Sequence, residues 1–173
     1  IVLLVSLALY LIGLLLYIPI ITLILYRWMF FSMKGDNLTP PYWISMGAVA
    51  ITTLAGSTLV LAHSRSPLLV ELAPLLKGFT LFFWAAGTWW IPLLVLLGVW
   101  RHLVRRHPIA YDPQYWAMVF PLGMYTAATF RLSEALPFEP LEWIARLFLP
   151  IACAAWAATA LGLVRHLARV PRT

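Results

Sequence analysis

Hydrophobic residues follow one another along this chain in long runs, and polar residues are concentrated in the short stretches between them. Each run has about 20 residues or more, the length that an α-helix needs to cross a hydrocarbon layer about 30 Å thick. The pattern predicts an all-α integral membrane protein with a single membrane domain over residues 1–173. Five transmembrane helices are predicted, at about 1–31, 42–63, 78–104, 114–133 and 141–167.

Prolines modify this pattern at two places. Pro19 lies inside the first run and predicts a kink there, because proline removes one backbone donor. The stretch 64–77 contains Pro67 and Pro74, is too short to span, and is predicted to form a separate interfacial helix. The chain opens at Ile1 within an apolar run that lacks a basic segment and a cleavage site, so we interpret this run as a membrane span and expect further protein before it.

The charged residues indicate topology. Only 10% of the chain is charged, where a soluble domain carries about 25%. The net charge of +6 comes from residues at span ends and not from a basic stripe, which argues against nucleic-acid binding. Eight of the twelve Lys and Arg residues follow the first, third and fifth spans, which predicts a cytoplasmic C-terminus. The expected location is the cell inner (plasma) membrane.

No chemistry of an enzyme is apparent in the sequence. The four histidines lie near span ends without metal-ligand spacing, so we predict no metal and no cofactor. Combinations of Ser, His and Asp fall on opposite membrane faces, which argues against hydrolysis. The single cysteine, Cys153, is predicted to be a small core residue, and Trp84, Trp89 and Trp90 are predicted to contact lipid or another subunit.

A helical hairpin is repeated in the chain. The second span begins with Tyr42 and Trp43 and the fourth with Tyr115 and Trp116, in each case after a proline, and each then becomes rich in small and hydroxyl residues. The span that follows each of them is more uniformly apolar. Small residues allow a neighbour to approach or leave room for a lumen, so the second and fourth spans are predicted to be the inner helices.

The polar groups within the spans suggest the substrate. A proton-coupled carrier normally needs an ionisable group near the centre of a span. All six acidic residues of this chain lie in loops or at span ends, which argues against such a carrier. Hydroxyl groups without a fixed negative charge suit anions that bind loosely. We therefore predict that the second span lines a pore through Gly47, Ala50, Thr53, Leu54 and Ser57; alternatively, its hydroxyls bond to the preceding turn and hold helices together.

The fourth span carries a candidate gate formed by Phe120, Pro121 and Gly123. Proline bends the helix and frees a carbonyl, which is tolerable at membrane depth where a cavity or neighbour accepts it. The alternative is that the Phe120 ring fills the gap that the kink leaves.

At 100° per residue, Phe120 shares a stripe with Met124, Ala127 and Arg131, all predicted to line the pore. Arg131 would concentrate anions at the outer mouth, or would serve as an interface anchor.

The stretches PPYWISMGA at 40–48 and YWAMVFPLG at 115–123 resemble the tellurite-resistance and C4-dicarboxylate transporter family, which is related to plant slow-type anion channels. The resemblance covers the chain as helices six to ten of a ten-helix ring of hairpins. It implies that inner helices line a pore plugged by a phenylalanine at the position of Phe120, and that subunits form homotrimers in which each has its own pore. Half of a ring cannot enclose a pore, so function is expected to belong to a longer parent chain.

These observations predict a channel or transporter for small inorganic or organic anions such as tellurite, C4-dicarboxylates or sulfite, embedded in the lipid bilayer and gated by Phe120. Two alternatives remain. One is an ion-coupled dicarboxylate or sulfite carrier, which uptake driven by a pH gradient would reveal. The other is a non-transporting membrane scaffold, which would give no ion flux in liposomes.

Overall fold

The structure is a computed structural model, which describes residues 1–31, 39–108 and 110–169. The regular structure in these ranges is helical, which confirms the all-α prediction. The long helices are α1 (Val2–Phe30), α2 (Ile44–Leu61), α3 (Pro67–Val99), α4 (Trp116–Ala135) and α5 (Glu139–Arg169).

Short helical turns lead into the two helices that were predicted to be inner. Residues Pro40–Trp43 form a 3₁₀ turn before α2, and Pro113–Tyr115 form another before α4. Proline suits the first position of such a turn because it has no backbone donor to leave unpaired. The two turns contact each other, so α2 and α4 begin side by side at one end of the molecule.

The predicted break at residue 78 is absent, since α3 is one helix from Pro67 to Val99 with Pro74 and Pro92 inside it. The separate interfacial helix predicted for 64–77 was therefore wrong. A lipid environment offers backbone groups no water, so a helix that loses one hydrogen bond to proline still gains by continuing. A single π-helical turn, Trp100–Val104, ends this long element.

By length and composition, four described helices could cross a membrane: α1, α2 with its preceding turn, α3 with its π turn, and α5. Helix α4 falls short in composition because it carries hydroxyl groups and, near its end, Arg131 and Glu134. Its 20 residues correspond to about 30 Å, which matches the hydrocarbon thickness. That the fourth predicted span, 114–133, crosses the membrane as α4 therefore stays a prediction.

Helices α2 and α4 form the centre of the packing. They contact each other extensively, while α3 packs on α2 and α5 packs on α4. The two helices approach closely at Gly47, where an added Cβ would lie 2.9 Å from the Cγ of Pro121. Met46 and Val49 of α2 and Tyr125 of α4 are almost fully buried.

Hydrogen bonds between side chains attach α3 to its neighbours. The indole of Trp84 donates to the Thr129 hydroxyl of α4 at 3.0 Å, and the Thr88 hydroxyl lies 2.8 Å from that of Tyr125. The indole of Trp90 donates to the Tyr17 hydroxyl of α1 at 3.2 Å. Trp90 is buried, so the prediction that it contacts lipid or another subunit was wrong. Trp84 is partly buried, and Trp89 is exposed.

Candidate conduction surface

One face of α4 is uncovered, and it carries most of the residues predicted for that helix. The Phe120 side chain is 55% exposed. Gly123, Ala127 and Arg131 are exposed as well, and Met124 is partly buried. At 100° per residue these positions form one stripe, which faces away from α3 because the Trp84 and Thr88 contacts of α3 reach the opposite side of α4.

Pro121 does not belong to this stripe. It is buried and packs against Gly47, so it fixes the α2–α4 contact immediately beside Phe120. An added Cβ at Gly123, in contrast, would meet nothing within 4 Å. Of the three residues of the predicted gate, Phe120 and Gly123 are thus exposed and Pro121 is buried.

The residues predicted to line the pore on α2 lie elsewhere. Gly47, Ala50, Thr53 and Ser57 are buried against neighbouring helices, and only Leu54 is partly exposed. The exposed residues along one side of α2 are instead Ile44, Ile51, Ala55 and Thr58, with Ala48 and Thr52 partly exposed beside them, while Leu61 is exposed at the end of the helix. We call this stripe of α2, together with the stripe of α4, the open face.

Hydroxyl groups of α2 donate hydrogen bonds to backbone carbonyls of the same helix. Thr53 donates to the Val49 carbonyl and Ser57 to the Thr53 carbonyl, both at 2.8 Å. Thr52 and Thr58, which border or lie on the open face, donate to carbonyls four residues earlier in the same way. A hydroxyl that donates to its own helix presents an acceptor to its surroundings, so these groups do not offer donors to an anion.

The cation at the end of the α4 stripe is paired. A guanidinium nitrogen of Arg131 lies 2.5 Å from a carboxylate oxygen of Glu134, and both side chains are partly exposed. The pair lowers the net positive field that the sequence suggested for this mouth. A second ion pair, between Arg146 and Glu142, lies on the first turns of α5.

Two grooves border the open face. The groove between α1 and α2 has a volume of ≈ 730 Å³ and runs from Gly13 to Arg27 along α1. The groove between α4 and α5 has a volume of ≈ 540 Å³, and its lining includes Ala127 and Cys153. Cys153 is exposed, so the prediction of a core cysteine was wrong.

Metal chemistry finds no support in the part of the chain that the structure describes, where no group of three or more His, Cys, Asp or Glu residues could hold an ion. The surface that remains is apolar, with small side chains, one aromatic ring and an ion pair at one end. Such a surface can border a path through the membrane.

Comparison with known proteins decides the family. The family described as voltage-dependent anion channel matches residues 1–164. The chain belongs to this family. Membership confirms the predicted relationship and indicates anion transport across a membrane rather than catalysis.

The relatives differ in size. An uncharacterized membrane protein of Mycobacterium tuberculosis is 38% identical over 153 residues, which cover 88% of this chain and 77% of that protein. Two uncharacterized transporters of Methanocaldococcus jannaschii are 26% and 24% identical over 132 residues, covering 76% of this chain but only 37% and 36% of those proteins. No solved structure matches the chain.

Proposed function

We propose that the open face forms one wall of a path along which small anions cross the membrane. The family supports transport of anions. The charges of the face support it too. The stripe on α2 carries no charged residue between Ile44 and Thr58. The carboxylate of Glu134, at one end of the face, is neutralised by its ion pair with Arg131. A wall without fixed negative charge does not repel an anion, and one without strong donors lets it leave quickly.

We further propose that the Phe120 ring gates this path. The observation that carries the proposal is the exposure of this ring, 55%, on the uncovered side of a helix that is otherwise held between α2 and α5. An aromatic ring that merely filled a kink would be buried beside Pro121. The Phe120 ring is instead exposed, and the atoms nearest to a Cβ at Gly47 belong to Pro121 alone, which supports a ring that is free to obstruct a path along the open face.

The test is replacement of Phe120 by Ala in the intact protein, with anion efflux from liposomes or currents in planar bilayers as the measurement. Removing 1.4 kcal/mol from a barrier raises a rate about tenfold, so an increase of about tenfold or more is expected for a plug. Phe82, on α3 and 62% exposed, provides the matched control, and its replacement by Ala should leave the flux within about twofold of wild type. Equal fluxes for Phe120→Ala and wild type would refute the gate.

The finer features of the proposal follow from the family resemblance and from charge. The ring of ten helices, the homotrimer and the substrates of the tellurite, C4-dicarboxylate or sulfite type are proposed by analogy. The basic residues after α1, α3 and α5 support an inner-membrane location with a cytoplasmic C-terminus. Uptake that depends on a pH gradient would favour a coupled carrier, and absence of any flux would favour a scaffold.

A further inference from the structure

Positive charge is divided unequally between the two ends of the molecule. In the ranges that the structure describes, the end at which α1, α3 and α5 finish carries six arginines and one acidic residue. The arginines are Arg27, Arg101, Arg105, Arg106, Arg165 and Arg169, and the acidic residue is Asp112. The other end balances four cations, Arg65, Lys77, Arg131 and Arg146, with four glutamates. The excess positive charge therefore lies at the end that is proposed to be cytoplasmic.

A π turn and the loop after it present two arginines at the end of α3. The guanidinium of Arg105 lies over the ring of Trp100, 4.9 Å from its centroid, which holds this side chain against the helix. Arg106 follows with a φ of 53°, a left-handed conformation that few residues with a side chain adopt. The backbone N–H of His107 donates to the carbonyl of Arg101 at 3.2 Å and closes the loop. A fixed backbone thus presents both arginines, which are exposed.

The same loop is anchored on the end of α5 by Tyr111. A Cβ added at Gly162 would lie 2.8 Å from the Cδ2 of Tyr111, and the ring centroids of Tyr111 and His166 are 5.5 Å apart. Arg165 and Arg169 are exposed on this last part of α5. The second arginine of the loop is five residues from Tyr111, so their Cα atoms are at most about 18 Å apart. The tyrosine contact therefore joins the basic ends of α3 and α5 into one surface.

Exposed apolar side chains adjoin these cations. Leu103 and Val104 are exposed directly before the two arginines of the loop, and Leu167 is exposed between those of α5. A soluble anion would gain nothing from apolar neighbours. An anionic phospholipid, in contrast, offers phosphate oxygens to the guanidinium groups and hydrocarbon to the apolar side chains. The combination favours a lipid over a soluble anion.

We propose that this surface binds the headgroup of an anionic phospholipid. We call Arg105, Arg106, Arg165 and Arg169, joined through Tyr111, the basic surface. Guanidinium groups suit phosphate because they donate two parallel hydrogen bonds, and clusters of four or more cations at the end of a membrane helix are typical of contacts with anionic headgroups. The inference does not depend on the proposed conduction path, since α3 and α5 carry the surface while α2 and α4 carry the open face.

The test is a titration of the intact, detergent-solubilised protein with phosphatidylglycerol or with phosphatidylcholine of the same acyl chains. Native mass spectrometry counts the bound lipids and gives their dissociation constants. Wild type should bind phosphatidylglycerol about tenfold more tightly than the zwitterionic lipid. One cation beside an anionic surface contributes about fivefold in affinity, so Arg105→Gln combined with Arg106→Gln should weaken phosphatidylglycerol binding about 20-fold.

A matched control removes two cations from the rest of the molecule. Arg65 and Lys77 are exposed, and Arg65→Gln combined with Lys77→Gln should leave the affinity within about twofold of wild type. A further variant keeps every charge. Tyr111→Ala releases the loop from Gly162 and should weaken binding several-fold, whereas Tyr111→Phe retains the ring and should bind as wild type does.

Four outcomes would overturn the proposal. Equal affinities for the two lipids would leave the basic surface with a role in topology alone, and equal losses in the loop variant and the control variant would indicate general charge attraction. Unchanged binding in Tyr111→Ala would show that the ends of α3 and α5 do not act together. Displacement of the lipid by millimolar inorganic phosphate would assign the surface to a soluble anion.

Discussion

Replacement of Gly47 by Ala examines the contact on which the inner pair of helices depends. The new Cβ would lie 2.9 Å from the Cγ and 3.2 Å from the Cβ of Pro121, where carbon atoms in contact prefer about 3.5–4.0 Å. The proline ring is tied to its own backbone and cannot rotate away. Relief therefore requires α2 and α4 to separate by a few tenths of an ångström.

Two opposing terms set the magnitude. Overpacking of a close contact costs about 1–3 kcal/mol, and Ala gains about 1 kcal/mol over Gly in helix propensity. The net expectation for Gly47→Ala is a loss of about 0–2 kcal/mol in the free energy of unfolding. Gly78 on α3 is the matched control, because a Cβ there meets nothing within 4 Å, and Gly78→Ala should gain up to about 1 kcal/mol.

The assay is thermal unfolding of the protein in detergent, followed by circular dichroism. For a chain of this size 1 kcal/mol corresponds to about 2–4 °C in Tm, so the Tm of Gly47→Ala should lie measurably below that of Gly78→Ala, with the first at or below wild type and the second at or above it. Pro121→Ala in the Gly47→Ala background should recover part of the loss as a coupling energy. If Gly47→Ala is as stable as Gly78→Ala, the close packing of the two inner helices described above is refuted.

Two further predictions concern the Arg131–Glu134 ion pair and the hydrogen bond from Trp84 to Thr129. Glu134→Gln removes the partner of Arg131 and should raise anion flux several-fold at low ionic strength. At 1 M salt the flux should rise little, because salt screens the charge of Arg131. A change that does not depend on salt would contradict this electrostatic explanation. Trp84→Phe removes the donor to the Thr129 hydroxyl and should lower the free energy of unfolding by about 1 kcal/mol. Trp89→Phe, at an exposed position, is the control and should change it by less than about 0.5 kcal/mol. Equal Tm values for the two variants would contradict the role of that hydrogen bond.

Hydropathy predicted the architecture because lipid imposes one simple demand. Every backbone group within the bilayer must find its partner inside the chain, so a long apolar run in such a protein is a helix. Helices α1 and α5 are therefore close to their predicted bounds. The start of α3 was missed for a related reason, since the rule that proline ends a helix holds best where water can satisfy the released carbonyl.

The face of α2 could not be deduced in the same way. Small residues and hydroxyls at Gly47, Thr53 and Ser57 suit a lumen and a tight helix contact equally, and only the position of α4 distinguishes the two. On α4 the Phe120 stripe was predicted because helical periodicity relates its members without reference to any neighbour. The partners of Trp84 and Trp90 are 45 and 73 residues away in sequence, and no local pattern indicates such pairings.

The side-chain hydrogen bonds that join α3 to α4 and α1 limit what can move in this protein. Because Pro121 packs on Gly47 and Trp84 donates to Thr129, the two helices that carry the open face are held firmly to each other and to α3. Under the proposed gating by Phe120, opening would consist of rotation of this ring about its own side-chain bonds, which takes picoseconds to nanoseconds at an exposed position, whereas rearrangement of helices takes microseconds or longer. Conductance through such a barrier would fluctuate too fast to resolve as discrete opening and closing events, and recordings would show a steady current whose size reports the mean position of the ring.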